Sequence, residues 1–400
     1  MNSLRLFCIA CAMLMLSGCI SGIDYGKVPH SILSAGPACN PETNQPEAIA
    51  GKSMFAVTSR LPDCTSAPVK LTGFRADKLR YARYMPIHNP AAESAKNGRN
   101  VPVSFQAEAA WWDDLAAATK ANDGQLLLYV HGFRETFDTS ARDSIQIMQM
   151  WNGSGPVVQY SWPSEGEFLS YAVDETNMYW DERNFRGFLL ELAEKPWVKD
   201  IVIISHSLGA RLVIPSIEYV DRNAETRESN NISNIIFASP DTDRQEFERD
   251  IGRSILSHDK VKAGRRMTLY ISENDGALGL SRTLHGYPRL GRPYCFDPFE
   301  AARLKAQGLP ERCYPKDFRH SGEMALSGLN IVDTSDVSVG RSGHSDYLRS
   351  AAACRDFASI LQGGPGVTKN REPTHLPYVF RLRPYAKGEK PDHDEACKRR

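Results

Sequence analysis

The 400-residue chain has no excess of either charge: Lys and Arg together number 48, and so do Asp and Glu. That balance gives no electrostatic reason to expect nucleic acid or another strongly charged polymer as a partner. Walker-type and Rossmann glycine patterns are absent, so neither a nucleotide nor any other cofactor is expected. Among the six cysteines beyond Cys19 there is no CxxC, and no metal site is expected. Heptads, solenoid repeats and polar low-complexity tracts are missing too, which excludes the coiled-coil and repeat architectures. Long apolar runs are also scarce. The stretch from Leu6 to Leu16 falls short of the roughly 20 residues a comfortable membrane span needs. With 42% apolar residues the chain can nevertheless build a sizeable core.

What the sequence does have begins at its N-terminus. Residues 1–18 join Arg5 to a short apolar segment and end in Ser17-Gly18, a secretory signal pattern. Leu16-Ser17-Gly18-Cys19 resembles a bacterial lipobox. That resemblance implies a thioether-linked lipid on Cys19, which becomes the mature N-terminus, and several acyl chains hold a protein to a bilayer far better than one. Ile20, where an Asp would retain the protein in the inner membrane, implies an outer-membrane lipoprotein facing the periplasm. The plainer alternative is an ordinary signal peptide with a nearby Cys. Of the nine cysteines, Cys8 and Cys11 would leave with the signal. Beyond Cys19 remain Cys39, Cys64, Cys295, Cys313, Cys354 and Cys397, an even number suited to disulfides in an oxidising compartment. Proximity in sequence favours Cys39–Cys64, Cys295–Cys313 and Cys354–Cys397, with other connectivities open.

Residues 19–50 are rich in Ser, Gly, Pro and Asn and read as a flexible tether. Residues 363–400 are rich in Gly, Pro and charge and read as a peripheral or partly disordered tail. Between them, residues 51–362 read as one domain. Apolar runs at Leu126–Val130, Val157–Tyr160, Ile201–Ile204, Ile235–Ala238 and Met267–Ile271, with a weaker one near Asn330–Val332, have the length and continuity of buried parallel strands. Met54–Thr58 is expected to add an antiparallel edge strand. Phe185, Phe188, Leu189 and Leu192 share one helix face, as do Ala141, Ile145 and Met148. Strands alternating with helices predict an α/β fold with a mostly parallel central sheet covered on both faces. A long excursion, residues 274–329, precedes what reads as the last strand and is a candidate cap or lid.

The run Ile201–Ile204 leads straight into Ser205-His206-Ser207-Leu208-Gly209-Ala210 and then a helical pattern. This is the strand–turn–helix setting of a nucleophile elbow, with Ser205 in place of the first Gly of G-x-S-x-G. Such an elbow points to the α/β-hydrolase fold and makes Ser207 the candidate nucleophile; the plain alternative is a helix N-cap serine. In that fold the loop after an earlier strand supplies one oxyanion amide, and the residue after the nucleophile supplies the other. Leu126–Val130 ends in His131-Gly132-Phe133, so the candidate amides are those of Phe133 and Leu208. His131 and His206 read as structural. Chain order then asks for an acid and a histidine further on. Asp275 follows the run Met267–Ile271, and His344 lies on a Gly/Ser-rich loop after the weaker run. Asp241 and Asp243 are rival acids, and His258, His285 and His320 are lower-ranked histidines.

Taken together, these segments resemble a bacterial α/β-hydrolase family known as a domain of unknown function. The likeness runs from about Met54 to Tyr347. It is carried by Met54-Phe55-Ala56-Val57-Thr58-Ser59-Arg60, Val130-His131-Gly132-Phe133, Ser161-Trp162-Pro163-Ser164 and His206-Ser207-Leu208-Gly209, and then by Ser239-Pro240-Asp241, Ser272–Leu278 and Gly343-His344-Ser345-Asp346-Tyr347. Two positions depart from it: Arg134 stands where Asn is expected, and Leu208 where Met is frequent. The resemblance implies the fold and the Ser207–Asp275–His344 triad, and no particular substrate.

The leading expectation is therefore a serine hydrolase of ester-type bonds, acting on a small-molecule or lipid ester in the cell envelope. The alternatives are a membrane-tethered binding or scaffold protein that kept the fold and lost catalysis, and an acyltransferase or thioesterase using the same triad.

Overall fold

The computed structural model describes residues 54–63, 65, 69–86, 101–151, 155–223, 231–315, 328–339, 342–363, 370–384 and 397. The signal segment, Cys19, Cys39, Cys64, His320 and the expected tether lie outside the described residues. No helix among those described is long and apolar enough to cross a membrane.

Among the described residues, eleven strands form one sheet. In chain order they are β1 (Met54–Asp63), β2 (Lys70–Tyr84), β3 (Val103–Gln106), β4 (Gln125–Val130), β5 (Val157–Ser161), β6 (Asp200–His206), β7 (Ile232–Ala238), β8 (Arg266–Ile271), β9 (Leu329–Asp333), β10 (Arg371–Pro373) and β11 (Val379–Leu382). Across the sheet they run β10-β11-β9-β8-β7-β6-β4-β5-β1-β2-β3. All pairings from β1 through β5, β4, β6, β7, β8 and β9 to β11 are parallel; β1–β2, β2–β3 and β10–β11 are antiparallel. The six apolar runs read from sequence are the six central strands β4 to β9.

Two features differ from the sequence reading. Met54–Thr58 is not an edge strand: β1 is parallel to β5 on one side and antiparallel to β2 on the other. Nor is β9 the last strand, since β10 and β11 follow and close that end of the sheet. Both corrections have one cause. β2, β10 and β11 carry charged residues on partly exposed positions, so they lack the continuous apolar run that marks a strand buried on both faces.

Among the described residues, seven helices of eight or more residues accompany the sheet: α1 (Glu108–Lys120), α2 (Phe137–Met150), α3 (Tyr171–Glu194), α4 (Ala210–Asn223), α5 (Gly276–His285), α6 (Pro298–Ala306) and α7 (Ala351–Leu361). Period-2 alternation along the strands divides the core between the two faces. Leu126, Leu128 and Val130 of β4 join a cluster with Trp111 of α1, Phe185 and Phe188 of α3 and Leu212 of α4. Leu127 and Tyr129 face the other way, toward Ile145 of α2 and Phe357 of α7. Each fully buried Leu, Val, Ile or Phe contributes about 1.5–3 kcal/mol of transfer free energy. Several starts are capped: Thr136 accepts from the Thr139 amide for α2, and Asp297 accepts from the Phe299 amide for α6, where Pro298 pre-sets the first turn. Cys295–Cys313 and Cys354–Cys397 are bonded, the second tying the tail to α7.

Candidate active site

The registers bring the candidate loops to one edge. Val130 pairs with Ser205, His206 with Ala238, Ala238 with Tyr270, and Ile271 with Asp333. The residues that follow β4, β6, β7, β8 and β9 therefore emerge side by side beyond the carboxyl ends of parallel strands, where open α/β sheets bind their ligands.

Ser207 sits between β6 and α4 with φ of +52°, in the left-handed region. A non-glycine residue there costs of order 1–3 kcal/mol and persists only where its surroundings hold it. One hydrogen bond and two close approaches of glycine backbone surround it. The Asp241 amide donates to the Ser207 carbonyl at 3.1 Å. A Cβ on Gly132 would lie 2.7 Å from the Cβ of Ser207. A Cβ on Gly209 would lie 2.5 Å from the His131 carbonyl oxygen. The two glycines let the β4 loop and the elbow pass in backbone contact.

His344 approaches from beyond β9. Its Nδ1 lies 2.8 Å from Oδ2 of Asp275, which is fully buried. The other Asp275 oxygen caps α5, accepting from the Leu278 amide at 2.9 Å. Burial opposes a charge on His344, but the Asp275 carboxylate and its hydrogen bond outweigh that and raise the imidazole above its ordinary pKa. The loop is strapped down: the Gly276 amide donates to Ser342 O at 2.8 Å, the Val339 amide to Asp346 Oδ1 at 3.0 Å, and His206 Nε2 to His344 O at 3.0 Å. That last bond fixes the His206 tautomer. Burial and the neighbouring His344 push His206 down to about 3, so it is neutral.

The rival acids are engaged elsewhere. Asp241 accepts from Arg289 Nε and Ser281 Oγ on one oxygen and from the Tyr171 hydroxyl on the other, each at 2.7 Å. Burial alone would raise its pKa; Arg211 and Arg289 reverse that and lower it. Asp243 caps the turn Arg244–Glu246 through the Gln245 and Glu246 amides. His285 bonds Ser281 and Glu175, while His258 starts a short surface helix.

His131 is structural: its ring stacks on Trp162 at 4.7 Å, and its two nitrogens face the carbonyls of Gly132 and Trp162. Trp162 is fully buried beneath the loop, its indole N–H on His131 O.

Two residues carry more of the site than the sequence reading gave them. Arg60, within β1, is 1% exposed and has no carboxylate partner among the described residues; it donates instead to Ser161 Oγ, Ser164 O and Glu135 O. Burial brings its pKa down to about 10. Asp174 of α3 accepts from the Arg134 amide at 3.1 Å, the Glu165 amide at 2.8 Å and Ser164 Oγ. Together they fix the loop that carries Phe133. A signal for Asp174 was present. The stripe Phe185–Leu192, extended back by helical steps, runs through Met178 and puts Asp181, Asn177 and Asp174 on the buried face. Arg134 itself has φ of +63°, a region Asn enters more easily, which gives its departure from the expected Asn a physical meaning.

A family model described as alpha/beta hydrolase of unknown function (DUF900) matches residues 107–311. No curated protein matches. Solved structures similar to this chain include a hyperthermophilic esterase from the archaeon Pyrobaculum calidifontis, 12% identical, covering 85% of this chain and 94% of that one at a TM-score of 0.33. Another is EstFA in its Fe-lacking apo form, 9% identical over 88% and 96%, TM-score 0.31. A third is the ester hydrolase EH1AB1 from the metagenome of Lake Arreo, complexed with a bipyridine phosphonate derivative, 11% identical over 78% and 86%, TM-score 0.27.

Proposed function

The chain belongs to the alpha/beta hydrolases of unknown function (DUF900), and on that footing we propose that it is a serine hydrolase cleaving ester-type bonds, with Ser207 as nucleophile, His344 as general base and Asp275 as the acid that orients it. The observation that carries this reading is the 2.8 Å pair between His344 Nδ1 and Asp275 Oδ2, on a loop whose His344 carbonyl is bonded by His206, the residue before a serine held at positive φ.

With Nδ1 engaged by Asp275, His344 presents Nε2 to the chemistry. Ser207 Oγ attacks the carbonyl carbon of the ester, and its proton passes to Nε2. The carbonyl oxygen becomes an oxyanion, met by the amides of Phe133 and Leu208; losing one such donor typically costs about 3–4 kcal/mol of barrier. Collapse breaks the carbon–oxygen bond to the alcohol, which takes the proton from Nε2. Water repeats the sequence on the acyl-enzyme, giving the carboxylic acid and restoring Ser207. Asp275 keeps the proton of the resting imidazole on Nδ1 and stabilises the imidazolium.

The same reading puts the enzyme in the bacterial cell envelope, held by lipid on Cys19 to the outer membrane on its periplasmic side, where it meets small-molecule or lipid esters. Its support is the signal pattern and the Leu16–Cys19 segment.

The test is a fluorophosphonate probe on the mature protein with the adduct mapped by mass spectrometry. An adduct on Ser207 that disappears in His344→Ala supports the assignment. A folded protein that takes no adduct, or takes it elsewhere, refutes it. Incorporation of a palmitate analogue, lost in Cys19→Ala, tests the anchor separately.

A further inference from the structure

Alongside α4, apart from Ser207 and His344, lies a cavity of about 440 Å³. Ile214, Pro215 and Ile251 give it apolar wall. Tyr179 and Tyr287 line it too, 56% and 54% exposed, so their rings are open to an incoming group.

The polar groups of this cavity are unequally occupied. Its cations are already paired. Arg211 donates to Asp241 O, the Tyr171 hydroxyl and Glu175, and Arg289 donates to Asp241 Oδ1 and Asp241 O. His285 Nε2 lies on Glu175. Its acceptors are in surplus. Glu182 has Arg186 at 3.4 Å and Asp243 caps a helical turn, but Glu218 and Glu246 have no ion-pair partner among the described residues. Thr242, 5% exposed and lining the cavity, has a hydroxyl with no hydrogen-bond partner among the described residues. A buried orphan hydroxyl costs about 1–3 kcal/mol, which a ligand reaching it would recover. Pro215 has no N–H for the Arg211 carbonyl, so the turn of α4 in this wall holds an acceptor whose helical donor is missing.

A concave site with apolar wall, two open tyrosine rings, free carboxylates and a spare hydroxyl complements a positively charged donor with a short alkyl body. We propose that this cavity is a binding site for a small primary-amine cation. Its anionic competitor is disfavoured, because every cationic group lining the cavity is engaged and the uncommitted charges are negative. The site does not depend on Ser207 being a nucleophile. It is wired to the elbow all the same: Arg211 holds Asp241, whose amide holds the Ser207 carbonyl.

The test is isothermal titration of the mature full-length protein with putrescine, with butyrate and 1-butanol as controls. Saturable putrescine binding is expected, roughly ten-fold weaker in the Glu218→Gln/Glu246→Gln double variant and several-fold weaker in Tyr287→Ala and Thr242→Val. Glu218, Glu246 and Tyr287 are exposed or partly exposed and Thr242 is buried, and the folding of every variant is checked by circular dichroism and thermal melting. The proposal is overturned if putrescine gives no saturable heat at about 20 mM, if butyrate binds as well, or if the folded variants bind like the wild type. Fluorophosphonate labelling of Ser207 on the same samples reports separately on the catalytic reading.

Discussion

Replacing Asp275 by Asn changes one atom and separates the proposed triad from every other use of that residue. Asn keeps an oxygen for the Leu278 amide, so the cap of α5 survives. It loses the charge 2.8 Å from His344 Nδ1. For charge centres about 4 Å apart at an effective dielectric near 20, that charge contributes about 4 kcal/mol to the imidazolium formed as Ser207 attacks. At 1.36 kcal/mol per decade this is about three orders of magnitude in rate. An Asn amide donating to Nδ1 would also force the proton onto Nε2, the nitrogen that must accept, so the loss is at least of that order. The assay is the second-order rate of fluorophosphonate labelling across pH. In the wild type the rate rises with pH as His344 loses its proton, and because Asp275 raises that pKa the acid limb lies above the ordinary histidine value. In Asp275→Asn the limb moves down and the plateau falls. An Asp275→Asn protein that melts like the wild type, labels within ten-fold of it and keeps the same limb would refute the assignment of the acid. Collapse of labelling in a well-folded Asp241→Asn would then point to the rival.

Other outcomes follow from the same geometry. Gly209→Ala sets a Cβ 2.5 Å from a backbone oxygen and is expected to cost about 1–3 kcal/mol in urea melts; a neutral effect would mean the elbow yields more freely than its contacts suggest. Arg134→Asn relieves a left-handed φ and should raise stability by up to about 1 kcal/mol, provided the new side chain leaves the amide on Asp174. His206 is held neutral in the fold with its pKa near 3, so it contributes stability above its unfolded value that is lost as pH falls from about 6.5 toward 3. In His206→Asn the stability-versus-pH slope below pH about 6 should therefore be shallower by about 1.4 kcal/mol per unit; an unchanged slope would mean the histidine titrates normally. Removing Cys354–Cys397, which closes a separation of 43 residues, should cost about 4 kcal/mol by loop entropy, read as a lower melting temperature in the double Ala variant.

The central sheet was legible because parallel strands buried on both faces must be apolar along their whole length, as in Leu126–Val130 and Ile201–Ile204. The elbow was legible for a related reason: a serine followed by Gly209 and Ala210, straight after such a run, serves few other purposes. β2 escaped notice because its 15 residues mix charged and apolar side chains on a partly exposed sheet end, and β10 and β11 because strands of three and four residues hold too few positions to form a pattern. The supports of the site were harder to see. Arg60 stood within a recognised segment, but local sequence cannot say that a guanidinium turns inward to bond the backbone of residues more than seventy positions away. The same holds for the clasp of Asp241 by Arg211 and Arg289, which exists only once α4 and the stretch after α5 are folded together.

The stretch matched by the family model, residues 107–311, contains Ser207 and Asp275 but neither Arg60 nor His344. Excised as a fragment, it would leave β5 without β1 along one side and β8 without β9 along the other. Both strands are almost wholly buried in the intact protein, so the cut would create two apolar, unpaired sheet margins, each a template for intermolecular pairing. The stretch that marks this chain's ancestry is thus not a unit that can be expected to fold, and the sheet is complete only when strands from both flanks are added to it.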